Sequence, residues 1–157
     1  LRSGGYLTGY DDGGGYGDLG LGLVGRYRPE EAFGLELAVQ HHNETFDMST
    51  ERSQTLMQGS AMLFANPWGR VQPYVLGGLS ANARGLDDAI QTDTGPALVQ
   101  ADNTLWGPHA GAGIEFAFGQ RAALDLEVRY VGWMNAGGDD PTAPGAFQTN
   151  AGFLVHF

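Results

Sequence analysis

The sequence contains no cysteine and no lysine, and both absences limit what the chain can be. Without cysteine, neither a disulfide nor a thiolate metal site can hold the fold together. Arginine supplies all eight of the strong cations, against 18 acidic residues, so the formal net charge is -10 at pH 7. Because nucleic-acid-binding surfaces are basic, this balance argues against nucleic acid as a partner.

Long apolar segments are also missing. No run approaches the ~20 residues of a transmembrane helix, which excludes a helical membrane protein. No long segment has helical periodicity either, whereas glycine is abundant, with 26 of 157 residues. Gly-rich segments separated by turn signals favour an all-β barrel or sandwich. We expect a single domain over residues 1–157, and an exported chain whose leader has been removed.

The clearest pattern lies in residues 147–157, where apolar side chains alternate with polar or small ones. One parity carries Phe147, Thr149, Ala151, Phe153, Val155 and Phe157. The other parity is polar or small except for Leu154. Such alternation over about ten residues is typical of a membrane-spanning strand with lipid on one side and a polar lumen on the other.

The same alternation predicts seven further strands. Together with the strand at 147–157, the expected ranges are 1–10, 19–28, 33–43, 54–65, 71–84, 105–118 and 124–130. Tight turns at 29–31, 66–70 and 119–121 follow the even-numbered strands, and longer acidic loops at 11–18, 44–53, 85–103 and 135–146 follow the odd-numbered ones. This alternation of short turns and long loops predicts an all-β, eight-stranded antiparallel up-and-down transmembrane β-barrel with both termini at one end.

Aromatic residues fit two belts at the ends of such a barrel, where it meets the two membrane interfaces. Tyr27 and Phe118 fall on the outward parity near one end, and Trp106 and Phe147 near the other. Trp133 breaks the pattern because it shares parity with charged residues. It either points inward at the rim or follows a β-bulge that reverses its face.

Three segments carry a resemblance to a known family: Val-Gln-Pro-Tyr-Val-Leu-Gly-Gly at 71–78, Gly-Ala-Gly-Ile-Glu-Phe at 111–116, and the terminal Phe157. With them the chain resembles the small eight-stranded outer-membrane barrels of the OmpA-like and OmpX-like group. The resemblance implies a bacterial outer membrane, periplasmic termini and extracellular acidic loops. It also implies contact with outer-membrane lipids and with the insertion machinery, which would read Phe153, Val155 and Phe157.

The alternative fold is a soluble lipocalin-like or avidin-like barrel, which is also an up-and-down structure. Such a barrel would place the apolar parity inside and leave the charged parity as ordinary surface. The charged parity, however, is rich in glycine and alanine, which is unusual for a water-exposed surface. Those small residues suit a narrow lumen that must also hold charged side chains.

If the chain is a membrane barrel, seven charged residues lie at positions that face its lumen. They are Arg26, Glu36, Arg84, Glu115, Asp125, Glu127 and Arg129. Charges inside a barrel must pair or be hydrated, and an eight-stranded lumen is about filled by side chains. We expect these residues to form a salt-bridge plug. The alternative is a gate whose pairs exchange to pass ions.

The histidines give no convincing catalytic or metal site. His41 and His42 are adjacent, so they point to opposite faces of a strand and cannot chelate one metal together. Some small outer-membrane barrels are lipid A deacylases, with a His and a Ser two apart on one strand. The nearest match here is His41-His42-Asn43, with Asn where the nucleophile should be. A nucleophile needs a base within hydrogen-bond reach, so we expect the protein not to be an enzyme. We also expect it to bind no metal and no cofactor.

The sequence therefore predicts a non-enzymatic outer-membrane barrel with a structural scaffold or surface-interaction role. Two alternatives stay open: a barrel subunit of a larger cell-envelope complex that contacts other envelope proteins, and a deacylase-like lipid-modifying enzyme. The acidic loops, which include Asp87-Asp88 and Asp139-Asp140, are interpreted as solvated surface. Binding of divalent cations by these carboxylates is the alternative.

Overall fold

Nine β-strand segments make up most of the chain in a computed structural model that describes residues 1–11, 18–47, 50–92, 95–119, 121–135 and 145–157. For 18, 43–47, 50–52, 84–92, 95–103 and 135 the backbone alone is described. The segments are β1 (Arg2–Asp11), β2 (Asp18–Tyr27), β3 (Phe33–Asp47), β4 (Thr50–Phe64), β5 (Val71–Thr92), β6 (Gly95–Phe118), β7 (Ala122–Val131), β8 (Met134–Asn135) and β9 (Ala146–His156). Within these ranges, no helix is long and apolar enough to span a membrane.

The segments form a closed antiparallel barrel of eight strands. Consecutive segments from β1 to β7 pair with each other, β7 pairs with β9, and β9 pairs with β1, which closes the sheet. β7 and β8 pair with β6 in one continuous register, since His109 lies opposite Val131 and Trp106 opposite Met134. They are therefore two parts of one barrel strand. The membrane-barrel fold predicted from the sequence is confirmed, and closure satisfies the backbone groups as hydrocarbon requires.

Both chain termini and three short turns lie at the same end of the barrel. The Phe157 amide donates a hydrogen bond to the Leu1 carbonyl at 3.0 Å. The turns join β2 to β3, β4 to β5 and β6 to β7, and the last of them uses Gly119 at a φ of 71°, a conformation that favours glycine. We call this end the terminal end, and the opposite end the hairpin end.

Apolar side chains form the outer wall, and the lumen contains the buried charged side chains. On β7, Leu126 and Val128 are exposed while Asp125 and Arg129 are fully buried. A soluble barrel would show the reverse, because water favours charges outside and apolar side chains inside. The lipocalin-like alternative is therefore wrong.

Two predicted loops are wrong. Most of 44–53 and 85–103 is strand, because β3 and β4 extend to Asp47 and Thr50 and β5 and β6 extend to Thr92 and Gly95. Antiparallel pairing gives these backbone groups partners whatever side chains they carry. Loss of apolar alternation therefore marks the end of the lipid-facing band and does not mark the end of the strand.

Trp133 points inward at the hairpin end, which was the first of the two predicted options. Its Nε1 donates a hydrogen bond to the Tyr10 hydroxyl at 2.6 Å. It belongs to a cluster of buried residues that also contains Tyr10, Leu56, Leu105, Val131 and Ala146. This cluster, which we call the apolar seal, lies across the lumen above its polar layers.

Candidate functional site: the closed lumen

The lumen contains polar layers stacked beneath the apolar seal. β1 shows the order, since its inward side chains, apart from Gly4, are Arg2, Tyr6, Thr8 and Tyr10 from the terminal end. Arg2 and Tyr6 contact charged groups, Thr8 contacts side-chain amides, and Tyr10 belongs to the seal. A charged layer is thus followed by an amide layer and then by the seal.

Arg26 lies at the centre of the charged layer and is fully buried. Its Nε donates to Glu36 at 2.6 Å. Its Nη1 and Nη2 donate to the two carboxylate oxygens of Asp125, both at 2.8 Å, which is the strong bidentate arrangement. Nη1 also donates to Glu115 at 3.4 Å. One guanidinium therefore joins carboxylates from β3, β6 and β7 across the lumen.

The position of Arg26 explains an otherwise unfavourable pair. Glu115 and Asp125 lie directly opposite each other on β6 and β7. Like charges in that arrangement destabilise a sheet. Arg26 donates to both carboxylates, so the repulsion is compensated by a cation from the opposite wall.

Arg129 forms the second centre of the charged layer. It donates through Nε to Glu127 and through Nη2 to Glu36. Its Nη1 donates to Gln58 at 3.1 Å in the amide layer. Glu36 therefore accepts from both buried arginines and couples the two centres.

The structure brings together six of the seven charged residues that the sequence singled out. They are Arg26, Glu36, Glu115, Asp125, Glu127 and Arg129. The seventh, Arg84, lies on β5, but its side chain is outside the described part of the structure. Removing one partner from such buried pairs is strongly destabilising, because the remaining charge stays in a poorly hydrated site.

Sequence reasoning missed three members of the charged layer. Arg2 donates to Glu115 near the terminal end. The Tyr6 hydroxyl donates to Asp125 at 2.8 Å, and the Tyr74 hydroxyl donates to Glu127 at 2.8 Å. The alternation of inward and outward positions could have identified all three, since each lies on the inward face of its strand.

Two glycines make room for these tyrosines. A Cβ on Gly152 would lie 1.9 Å from the Tyr6 ring, and one on Gly113 would lie 2.4 Å from the Tyr74 ring. No side chain larger than hydrogen fits at either position without moving a ring. The glycines on the polar parity therefore have a packing role: they give the tyrosine rings the room from which their hydroxyls reach the carboxylates.

The amide layer was also missed, although its glutamines lie on inward parity. Gln58 Nε2 donates to Gln148 and to Ser80, both at 3.1 Å. Asn150 donates to Glu127 at 2.9 Å, which connects this layer to the charged one. The contacts form a continuous network from the carboxylates towards the apolar seal.

His109 lies at the side of this network, with Nε2 2.9 Å from the Ser60 hydroxyl and Nδ1 2.8 Å from the Ser80 hydroxyl. Both ring nitrogens are thus occupied by neutral hydroxyls, so His109 is a buried network member. Among the described residues, no group of three or more His, Cys, Asp or Glu side chains is arranged to hold a metal ion.

His41 and His42 point to opposite faces, as strand geometry requires. His42 is buried, with its ring centroid 5.7 Å from that of Tyr10. His41 is exposed on the outer wall, with Nδ1 3.1 Å from the Thr55 hydroxyl. In the described part of the chain, Thr55 is the one side chain that hydrogen-bonds to His41. The carboxylate that orients a catalytic histidine is therefore not provided there.

The residues of the expected assembly signal lie on the outer face of β9. Phe153 and Val155 are exposed, and Phe157 is 82% exposed just beyond the strand. They form an apolar edge at the terminal end. Recognition of these residues by an insertion machinery stays a prediction.

Comparison with solved structures finds the same architecture in several bacterial proteins. Neisserial surface protein A superimposes with a TM-score of 0.69 at 16% identity, covering 99% of this chain and 95% of that one. Ail, the attachment invasion locus protein of Yersinia pestis, gives 0.62 at 13%, covering 99% and 95%. The outer membrane enzyme PagL gives 0.54 at 10%, covering 100% of both chains. At these identities the likeness shows the fold alone.

Comparison at the level of sequence identifies the family. No curated protein matches the sequence. The family model described as outer membrane protein beta-barrel domain, however, matches residues 3–156, which is nearly the whole chain. The closed barrel with an apolar outer wall and a charged lumen agrees with that match. The chain belongs to the outer-membrane protein β-barrel domain family.

Proposed function

We propose that the chain is a non-catalytic scaffold of the outer membrane: a closed barrel that presents its long hairpins for surface interaction. The observation that carries this proposal is the filled lumen. Arg26 and Arg129 connect carboxylates from three strands, and the apolar seal covers the polar layers at the hairpin end. A lumen filled in this way suits a rigid support better than a pore. For the deacylase-like alternative, a carboxylate that hydrogen-bonds to His41 is missing among the described side chains.

The charge distribution supports an orientation with extracellular hairpins and periplasmic termini. The sequence has 12 of its 18 acidic residues, but one arginine, in segments 11–18, 44–53, 85–103 and 135–145, which join strands that reach the hairpin end. The hairpin that joins β5 to β6 extends the pairing as far as Thr92 and Gly95. Such acidic, extended hairpins suit a hydrated surface outside the cell, where partners include outer-membrane lipids and other envelope proteins.

The orientation can be tested by cysteine labelling, because the native chain has no cysteine to remove. Thr92→Cys places a thiol at the end of β5, and Trp68→Cys places one in an exposed turn at the terminal end. With a membrane-impermeant maleimide, we expect Thr92→Cys to label in intact cells and Trp68→Cys to label after lysis only. Labelling of Trp68→Cys in intact cells would contradict the orientation.

Assembly should depend on the exposed aromatic residue that follows β9. Replacing Phe157 by serine is expected to lower the yield of folded, heat-modifiable barrel, because the insertion machinery would lose an apolar contact at the end of β9. Phe147→Ser is the matched control, since it removes an exposed phenylalanine from the other end of the same strand. Equal yields for the two variants, measured by gel mobility with and without heating, would show that Phe157 has no special role.

A further inference from the structure

A groove of about 400 Å³ lies on the outer wall across β1, β2 and β3. Its lining is Leu7, Leu19, Gly20, Leu21 and His41. The leucines are exposed on the face that contacts lipid, and Leu21 pairs directly with both Leu7 and His41. The lining of the groove is thus apolar apart from the imidazole of His41 at its edge. The groove is separate from the lumen network.

Among the described side chains, one of the two ring nitrogens of His41 has a hydrogen-bond partner. Its Nδ1 lies 3.1 Å from the Thr55 hydroxyl, and Thr55 is its one hydrogen-bonding side chain among those described. When the hydroxyl donates to Nδ1, the proton of the neutral ring is on Nε2, which becomes a donor. A donor that faces hydrocarbon without an acceptor is unfavourable. A hydrogen-bond acceptor from a membrane lipid would therefore stabilise the Nε2–H group of His41.

The depth of His41 indicates which part of a lipid it meets. Along β3, from the terminal end, the outward residues Leu37 and Val39 are exposed and apolar, and His41 follows them. Two residues further along, the sequence has the polar Asn43. His41 thus lies at the boundary of the apolar stretch of its own strand. Ester carbonyls of membrane lipids lie at this boundary.

We propose that the groove binds one acyl chain of a membrane lipid and that His41 Nε2 donates a hydrogen bond to the ester carbonyl of that chain. The leucines supply the apolar contact, and Thr55 fixes the ring tautomer. The ligand class is an acyl ester, as opposed to an ether-linked alkyl chain, which has the same shape but no carbonyl. This binding site goes beyond the scaffold role and depends only on the outer wall.

The test compares two lipids that differ only in the carbonyl. Purified barrel is released from mixed micelles containing equal amounts of a diester phosphatidylethanolamine and its dialkyl ether analogue, and retained lipid is counted by native mass spectrometry. One added hydrogen bond predicts roughly fivefold retention of the ester over the ether lipid. His41→Phe should bring this ratio close to one, and Thr55→Val should lower it. Thr149→Val, an exposed hydroxyl on β9, should leave it unchanged.

Several results would overturn the proposal. Equal retention of the two lipids by the parent would mean that the lipids are held without carbonyl recognition. An unchanged ratio in His41→Phe would place the recognition elsewhere. Leu21→Trp provides a second variant that leaves the imidazole intact. It should reduce retention of both lipids by narrowing the groove, and full retention would exclude the groove as the binding site.

Discussion

Replacing Arg26 by methionine is expected to lower the free energy of unfolding by about 3–5 kcal/mol. The change keeps an unbranched side chain but removes the cation that contacts Glu36, Glu115 and Asp125. Those carboxylates stay in the lumen, and two of them lie directly opposite each other. Urea titration of the barrel refolded in lipid vesicles measures the difference.

Arg70→Met is the matched control, because Arg70 is exposed in the turn between β4 and β5. Its loss should change stability by less than about 0.5 kcal/mol, as for most surface substitutions. Equal effects for the two variants would mean that Arg26 has no special role in holding the lumen. A small effect of Arg26→Met alone would show that water or other cations replace it freely.

The second large effect concerns the outer wall. Leu126→Arg is expected to cost about 2–4 kcal/mol, because it places a charge on the lipid face near mid-membrane. Leu126 and Val71 are both 46% exposed, but Val71 begins β5 at the terminal end. Val71→Arg should therefore cost about 0–1 kcal/mol. The same vesicle titration measures both variants, and equal costs would contradict the assigned depth of the lipid-facing band.

Alternation of apolar and polar residues was enough to predict the barrel and its two faces. In β7 it assigns Leu126 outward and Glu127 inward without any knowledge of neighbouring strands. The hairpin extensions could not be predicted in this way. Residues 85–103 lose the alternation because they leave the lipid, while their backbone continues to pair.

Parity also placed Arg26, Glu36 and Asp125 in one lumen, but it could not predict their contacts. The bidentate contact between Arg26 and Asp125 joins β2 to β7, so it depends on closure and on the register of every intervening pair. The roles of Tyr6 and Tyr74 depend on glycines of neighbouring strands that leave room for their rings. Such matches between distant segments are properties of the closed barrel and have no local sequence signal.

Conductance in planar lipid bilayers tests the closed lumen most directly. We expect the parent to show no steady open channel, because Arg26, Arg129 and their carboxylates fill the polar layers and the apolar seal covers them. Trp133→Ala with Leu105→Ala would open the seal but leave the ion pairs, so conductance should stay low. Arg26→Met in the same background should raise it. A large, steady conductance in the parent would contradict the closed lumen.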